Sequence, residues 1–200
     1  PRAAPCAARG AAERPSGQQV RAELHNTAVR AILSSLQRGS AERAAAASMS
    51  VASMPVACYM HDAAAPSRHA PRARMIPEWM LPDCRMTPDI VYIEGCTLED
   101  AARMPPSPRA KINLIEFTYR WQGAYRSLTG HGEARRAKKR KYAPLVQSLQ
   151  ERGWDAQLHV VASGLHGLQV PLEFAPPAPH APYQVALHIP AVPRALLRTL

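Results

Sequence analysis

No apolar run in this chain approaches the roughly 20 residues that a helix needs to cross a bilayer, so no membrane span is expected. Cysteine is scarce and scattered. Cys6, Cys58, Cys84 and Cys96 form no Cys-x-x-Cys pair and have no histidine at finger spacing. That argues against a structural zinc site and against a disulfide framework, and fits a reduced intracellular setting. Acidic residues are outnumbered, 15 Asp and Glu against 25 Lys and Arg. Lysine itself is rare, occurring only at 111, 138, 139 and 141. The first residue is Pro1 rather than Met, so the chain is expected to be a piece of something longer, and its Ala- and Arg-rich start is poor ground for a transit peptide.

What is present is enough for one domain with a real core: 200 residues. The net charge of +10 points to an acidic partner, most simply nucleic acid. A basic proteome is the plainer source of such charge, since Arg greatly outnumbers Lys and Ala and Pro abound, as in translated GC-rich sequence. The clustering of Lys138, Lys139 and Lys141 speaks for a local basic surface instead.

Residues Pro1 to Gly17 are small, charged and proline-punctuated, and no fixed structure is expected there. From Gln18 to Arg38 the apolar residues Val20, Leu24, Ala28, Ala31, Ile32 and Leu36 recur at helical spacing, with Gly39 as a stop. Glu23 and His25 fall at the margins of that stripe; the plain reading is a surface Glu and a half-buried His, the sharper one that one of them lines a site. A short strand is expected around Val56 to Met60, and a Pro/Arg/Ala linker from Ala63 to Arg74. Ile76 to Pro82, bounded by prolines and including Trp79, should be extended and packed on the core. Glu94 to Ala110, with Glu99 and Asp100, and Arg120 to Gly132, with Trp121 and Tyr125, read as loops. Residues 168–200 read as a proline-rich, mostly irregular tail, which makes 18–167 the folded unit.

The centre of the chain reads strand, strand, helix, strand: Pro88 to Ile93, Ile112 to Tyr119, Glu133 to Gly153, and Asp155 to Ala162. Side chains alternate faces along a strand, so Ile112, Leu114, Glu116 and Thr118 share one face, and Asn113, Ile115, Phe117 and Tyr119 the other. Both faces carry large apolar residues, which predicts a sheet covered on both sides. Glu116, among apolar neighbours, needs a metal ion or an Arg as partner unless it turns to water. In the helix, all but Ala137 of the residues from Arg135 to Lys141 are basic and cannot share one face. Tyr142, Leu145, Val146 and Leu149 make the stripe that docks on the sheet. Pro144 should kink the helix or open a second piece.

Pro88-Asp89, then Glu116, on adjacent strands after a helix, resembles the core of the restriction-endonuclease-like PD-(D/E)xK nucleases. The ordered set around it narrows the resemblance: Trp79-Met80-Leu81-Pro82, Arg85, Pro88-Asp89-Ile90-Val91, Ile115-Glu116-Phe117-Thr118, Lys141-Tyr142-Ala143-Pro144-Leu145, Gly153-Trp154 and Leu158-His159-Val160-Val161, with His25-Asn26 and Val29 in the leading helix. Together these look like the C-terminal endonuclease-like domain of retroelement polyproteins, downstream of a reverse transcriptase. The resemblance implies an α/β (α+β) fold, a helix followed by a central mixed sheet flanked by helices. It implies that Asp89 and Glu116 hold Mg²⁺ or Mn²⁺, and that the bound cation activates water for in-line attack on a DNA phosphodiester. Thr118 stands where the motif has Lys. Thr can hydrogen-bond a water but carries no charge. Lys138 and Lys141, from the following helix, are the candidates to supply that charge. Arg135, Arg136, Lys138, Lys139, Arg140 and Lys141 would track the DNA (or RNA) backbone. The expected setting is intracellular and nuclear, with a reverse transcriptase module outside this chain as a further partner. A binding module that has lost catalysis and a decayed copy of such an element are the two alternatives.

Overall fold

The structure, a computed structural model, describes residues 16–47, 56–60, 76, 78, 80–94, 111–119, 128–174 and 182–197. They form a mixed α+β fold: α1 (Gly17–Ala47), β1 (Val56–Met60), β2 (Ile90–Glu94), β3 (Lys111–Tyr119), α2 (Leu128–Glu151), β4 (Asp155–Ser163), β5 (Leu168–Phe174), β6 (Tyr183–Ile189) and a single turn, α3 (Arg194–Leu197). One sheet runs in the order β1-β2-β3-β4. Its first three strands are antiparallel, and β4 lies parallel to β3 after the crossover through α2. The hairpin β5-β6 makes a second, two-stranded sheet. Among the described residues no helix is long and apolar enough to cross a membrane.

The alternation along β3 sorts the core into two halves. Ile115, Phe117 and Tyr119 join Ile90 and Tyr92 in a cluster with the α1 residues Val20, Leu24, Ala28, Val29, Ile32 and Leu36. Ile112 and Leu114 join Val91 and Ile93 in a cluster with Tyr142, Leu145 and Leu149 of α2. The sheet is thus sandwiched between the two long helices, which explains why neither face of β3 reads as polar.

Local chemistry sets the helix ends. Ser16 and Gln19 cap α1 reciprocally: the Gln19 amide donates to Ser16 Oγ at 3.2 Å, and the Ser16 amide to Gln19 Oε1 at 2.7 Å. α1 does not stop at Gly39 but continues to Ala47. One interior glycine costs about 1 kcal/mol, and the alanine-rich run after it favours helix. α2 starts earlier than expected, at Leu128, and carries the exposed Pro144 within one continuous helix. Burial of Tyr142, Leu145 and Leu149 on the sheet outweighs the backbone bond that proline lacks. α2 ends at Glu151 and is capped by Gly153, at φ 85°, with Gly153 N–H on Gln150 O and Trp154 N–H on Leu149 O, the paired bonds of a Schellman cap.

Four further expectations are corrected. β2 begins at Ile90, so Pro88 and Asp89 precede the strand rather than lie in it, and Glu94 is its last, fully buried residue rather than the first of a loop. Residues 168–174 and 183–189 are strands, not irregular tail. Pro171 is tolerated because the two-stranded sheet leaves one edge of β5 unpaired. Val185, Leu187 and Ile189 alternate inward into the α1 cluster. Ile76 and Met80 are buried as expected, but the segment around Met80 turns rather than extends. Residues 1–15, the 63–74 linker, Cys6, Cys96, Trp79, Glu99, Asp100, Trp121 and Tyr125, and the side chain of Cys58, lie outside the described residues.

Candidate functional site

β2 and β3 pair with Ile90 opposite Ile115, so one step further the antiparallel ladder brings Asp89 opposite Glu116. There the ladder is completed by side chains. The Asp89 amide donates to Glu116 Oε2 at 3.3 Å, and the Phe117 amide donates to Asp89 Oδ2 at 2.7 Å. Each carboxylate thereby satisfies a backbone N–H of the other segment. Both are buried, Asp89 at 6% and Glu116 at 2% exposure.

The two helices close on this pair from opposite sides. From α2, Lys138 Nζ bonds Glu116 Oε1. Lys138 lies four residues before Tyr142 and so continues the buried stripe of Tyr142, Leu145 and Leu149 toward the helix N-terminus. Lys141 is a neighbour of Tyr142 on the helix surface, and its Nζ donates to the Tyr142 hydroxyl at 3.0 Å. That hydroxyl in turn donates to Thr87 O at 3.0 Å, fastening α2 to the segment that carries Pro88-Asp89. From α1, His25 Nε2 lies 3.4 Å from Asp89 Oδ2, with its ring 5.7 Å from that of Phe117. Thr118 is half-buried and donates weakly, at 3.5 Å, to Tyr119 O. An open cavity of about 320 Å³ is lined by Gln18, Arg21, Ala22 and His25 of α1, Phe117, Thr118 and Tyr119 of β3, and Lys138 of α2; the two carboxylates lie behind this lining rather than in it.

Burial and then the like charge of Asp89 raise the Glu116 carboxyl above its ordinary value, and Lys138 pulls the other way. Burial pushes the His25 imidazole down, but the hydrogen bond and charge of Asp89 outweigh it and the net shift is upward. Burial and then Glu116 raise the Tyr142 phenol.

The resemblance implies a cation shared by Asp89 and Glu116; here both Glu116 oxygens are engaged, Oε1 by Lys138 and Oε2 by the Asp89 amide. Mg²⁺ commonly takes one or two carboxylates and completes its shell with water and phosphate oxygens. Asp89 and Glu116 are two adjoining buried carboxylates, with the proton affinity of Glu116 raised first by burial and then by Asp89. Among the described residues no group of three or more His, Cys, Asp or Glu is arranged to hold a metal.

Arg135, Arg136, Lys139, Arg140 and Lys141 are exposed around Lys138 in the middle of α2. The basic surface and the residue that meets Glu116 therefore share one stretch of the helix. A separate polar cluster is buried at the other end of β2. Glu94 accepts from Tyr183 O–H and from Asn113 Nδ2 (3.0 Å), and Asn113 Oδ1 is 3.0 Å from His159 Nε2.

Comparison with known proteins returns no match: no family model matches the chain, and neither does any curated protein or solved structure.

Proposed function

We propose that this chain is a metal-dependent DNA-nicking endonuclease domain of a retroelement-derived protein, built on a restriction-endonuclease-like core. The observation that carries the reading is the meeting of Asp89 and Glu116, from separate segments, with Lys138 against Glu116. Asp89 and Glu116 would hold Mg²⁺ or Mn²⁺, which supplies an activated water and polarises the phosphate. Lys138 stands in for the lysine missing at Thr118. Its ammonium favours the carboxylate form of Glu116 against burial and Asp89, and its charge is available to a phosphate oxygen in the transition state. Thr118, at the cavity wall, offers a hydroxyl to a water. Arg21 and Lys138 give the cavity the positive lining that a phosphodiester requires. Arg135, Arg136, Lys139, Arg140 and Lys141 follow the backbone without reading sequence.

The test is nicking of supercoiled plasmid with Mg²⁺ or Mn²⁺, wild type beside Asp89→Ala and Glu116→Ala. Nicking by the wild type that falls by about 10²-fold or more in both variants supports the reading. A folded wild type that binds DNA but does not nick it sinks the reading. That outcome would favour a binding module of the same fold, which the Lys138–Glu116 pair and the uncharged Thr118 also suit, since a resident ammonium can replace the cation electrostatically.

A further inference from the structure

We infer that His25 is a positioning residue for the Asp89 carboxylate, so that α1 belongs to the cation-binding apparatus as well as to the core; this rests on the nuclease reading above. Among the described residues, the contacts to the Asp89 carboxylate all fall on one oxygen. Phe117 N–H reaches Oδ2 at 2.7 Å from β3, and His25 Nε2 stands 3.4 Å from the same atom on α1. A carboxylate held through one oxygen by two elements cannot swing freely about its terminal torsion, and Oδ1 is the atom left for a cation.

The histidine is itself held for this task. Its ring packs on Phe117, the residue whose amide makes the other bond to Oδ2, with the ring planes tilted by 52°. Its Nδ1 is buried and has no hydrogen-bond partner among the described residues. Nε2 is the nitrogen that stands against Asp89 Oδ2, and with the ring proton on it the imidazole can donate to that oxygen. Groups that orient a metal-binding side chain from behind typically change metal affinity or activity by about 10- to 100-fold when removed. On the chain, His25 lies at the margin of the apolar stripe, one residue past the buried Leu24. That margin is where a helix facing a sheet can reach its end.

The experiment is Mn²⁺ titration of the whole chain followed by electron paramagnetic resonance of the free ion, without DNA. The variants are His25→Phe, which keeps a ring on Phe117 but no donor, and His25→Gln, which keeps a donor but no ring; Asp89→Ala is the control, and thermal midpoints are recorded for each. The expected result is wild-type binding, loss in Asp89→Ala, affinity weakened about 10-fold or more in His25→Phe, and recovery of most of it in His25→Gln. Wild-type affinity in His25→Phe, with Asp89→Ala still deficient, would overturn the role of His25 and leave the two-carboxylate site standing. Equal weakening in both His25 variants, tracking their thermal midpoints, would reduce His25 to a packing residue. A folded wild type that binds no Mn²⁺ would remove the nuclease reading and this role with it.

Discussion

Glu116 is 2% exposed, beside another buried carboxylate, and Lys138 is the cation that holds it. Replacing Lys138 with Met keeps the stem that covers the site and removes the charge. The ionised Glu116 is then left buried without its partner, at a cost of about 1–3 kcal/mol. The sign with pH follows from the raised carboxyl. A folded state that binds the Glu116 proton more tightly than the unfolded chain loses stability as pH rises through the folded value. Lys138→Met raises that value further. Its penalty in urea midpoint should therefore be largest near neutral pH and shrink toward pH 5; a penalty independent of pH would mean that Lys138 acts through packing. His159 carries the opposite sign. Burial, and then the charge of Lys111, lower its imidazole from 6.5 to about 4, and it donates to Asn113 as the neutral ring. The unfolded chain takes up a proton below 6.5 that the folded chain refuses until about 4. Stability is therefore lost as pH falls through that window, by at most about 3 kcal/mol. Urea unfolding of His159→Gln beside the wild type at pH 7 and pH 4.5 checks this. The variant's curve should be flatter across the window.

At the scale of elements, α2 joins the basic surface to the carboxylates, and its stripe shows how much could be read in advance. Tyr142, Leu145 and Leu149 mark the buried face from sequence alone. Stepping back four residues from Tyr142 lands on Lys138, the signal that separates it from Lys141. The sequence pattern likewise predicts the two faces of β3, the strand β1 and the Gly153 cap. The reach of α1 past Gly39 was not legible, because glycine in a helix is a modest cost that an alanine-rich neighbour offsets. His25 was visible only as a margin residue. Its meeting with Asp89 depends on how α1 lies over the sheet, which periodicity along one helix does not encode. For the exposed half of α2, replacing Lys139, Arg140 and Lys141 with Ala should leave the stripe and the fold intact. If those residues meet phosphates, the slope of log affinity against log salt for duplex DNA should fall by up to about 3. An unchanged slope, measured by fluorescence anisotropy across a salt series, would place the backbone contacts elsewhere.

At the scale of the molecule, the hairpin β5-β6 completes the layer that holds α1. Val185, Leu187 and Ile189 enter the same cluster as Val29, Ile32 and Leu36. Phe174 stands among rings from three other strands, 5.4 Å from Tyr92, 5.1 Å from His159 and 5.3 Å from Tyr183. The connection into it needs Gly167, at φ 78°, where a Cβ would come within 2.6 Å of Ile189 O. Proline count hid this hairpin, because the pattern that mattered was the alternation Val185, Leu187, Ile189 rather than the breakers around it. Tyr183 bonds Glu94 and so ties the hairpin to the end of β2 through a carboxylate with no exposed surface. Removing that donor in Tyr183→Phe leaves Glu94 with one partner fewer and should cost about 1–3 kcal/mol without changing the fold. Ending the chain at Gly167 is a larger insult, since the apolar face of α1 that meets the hairpin would open to water. That truncated chain should bind the dye ANS and lose its cooperative thermal transition, whereas Tyr183→Phe should keep the transition at a lower midpoint. If the truncated chain melts cooperatively and binds no dye, then residues 18–167 are complete by themselves and the hairpin is an addition to a finished core. If it collapses as expected, α1 depends on the hairpin for its seat, and with α1 goes the contact of His25 on Asp89.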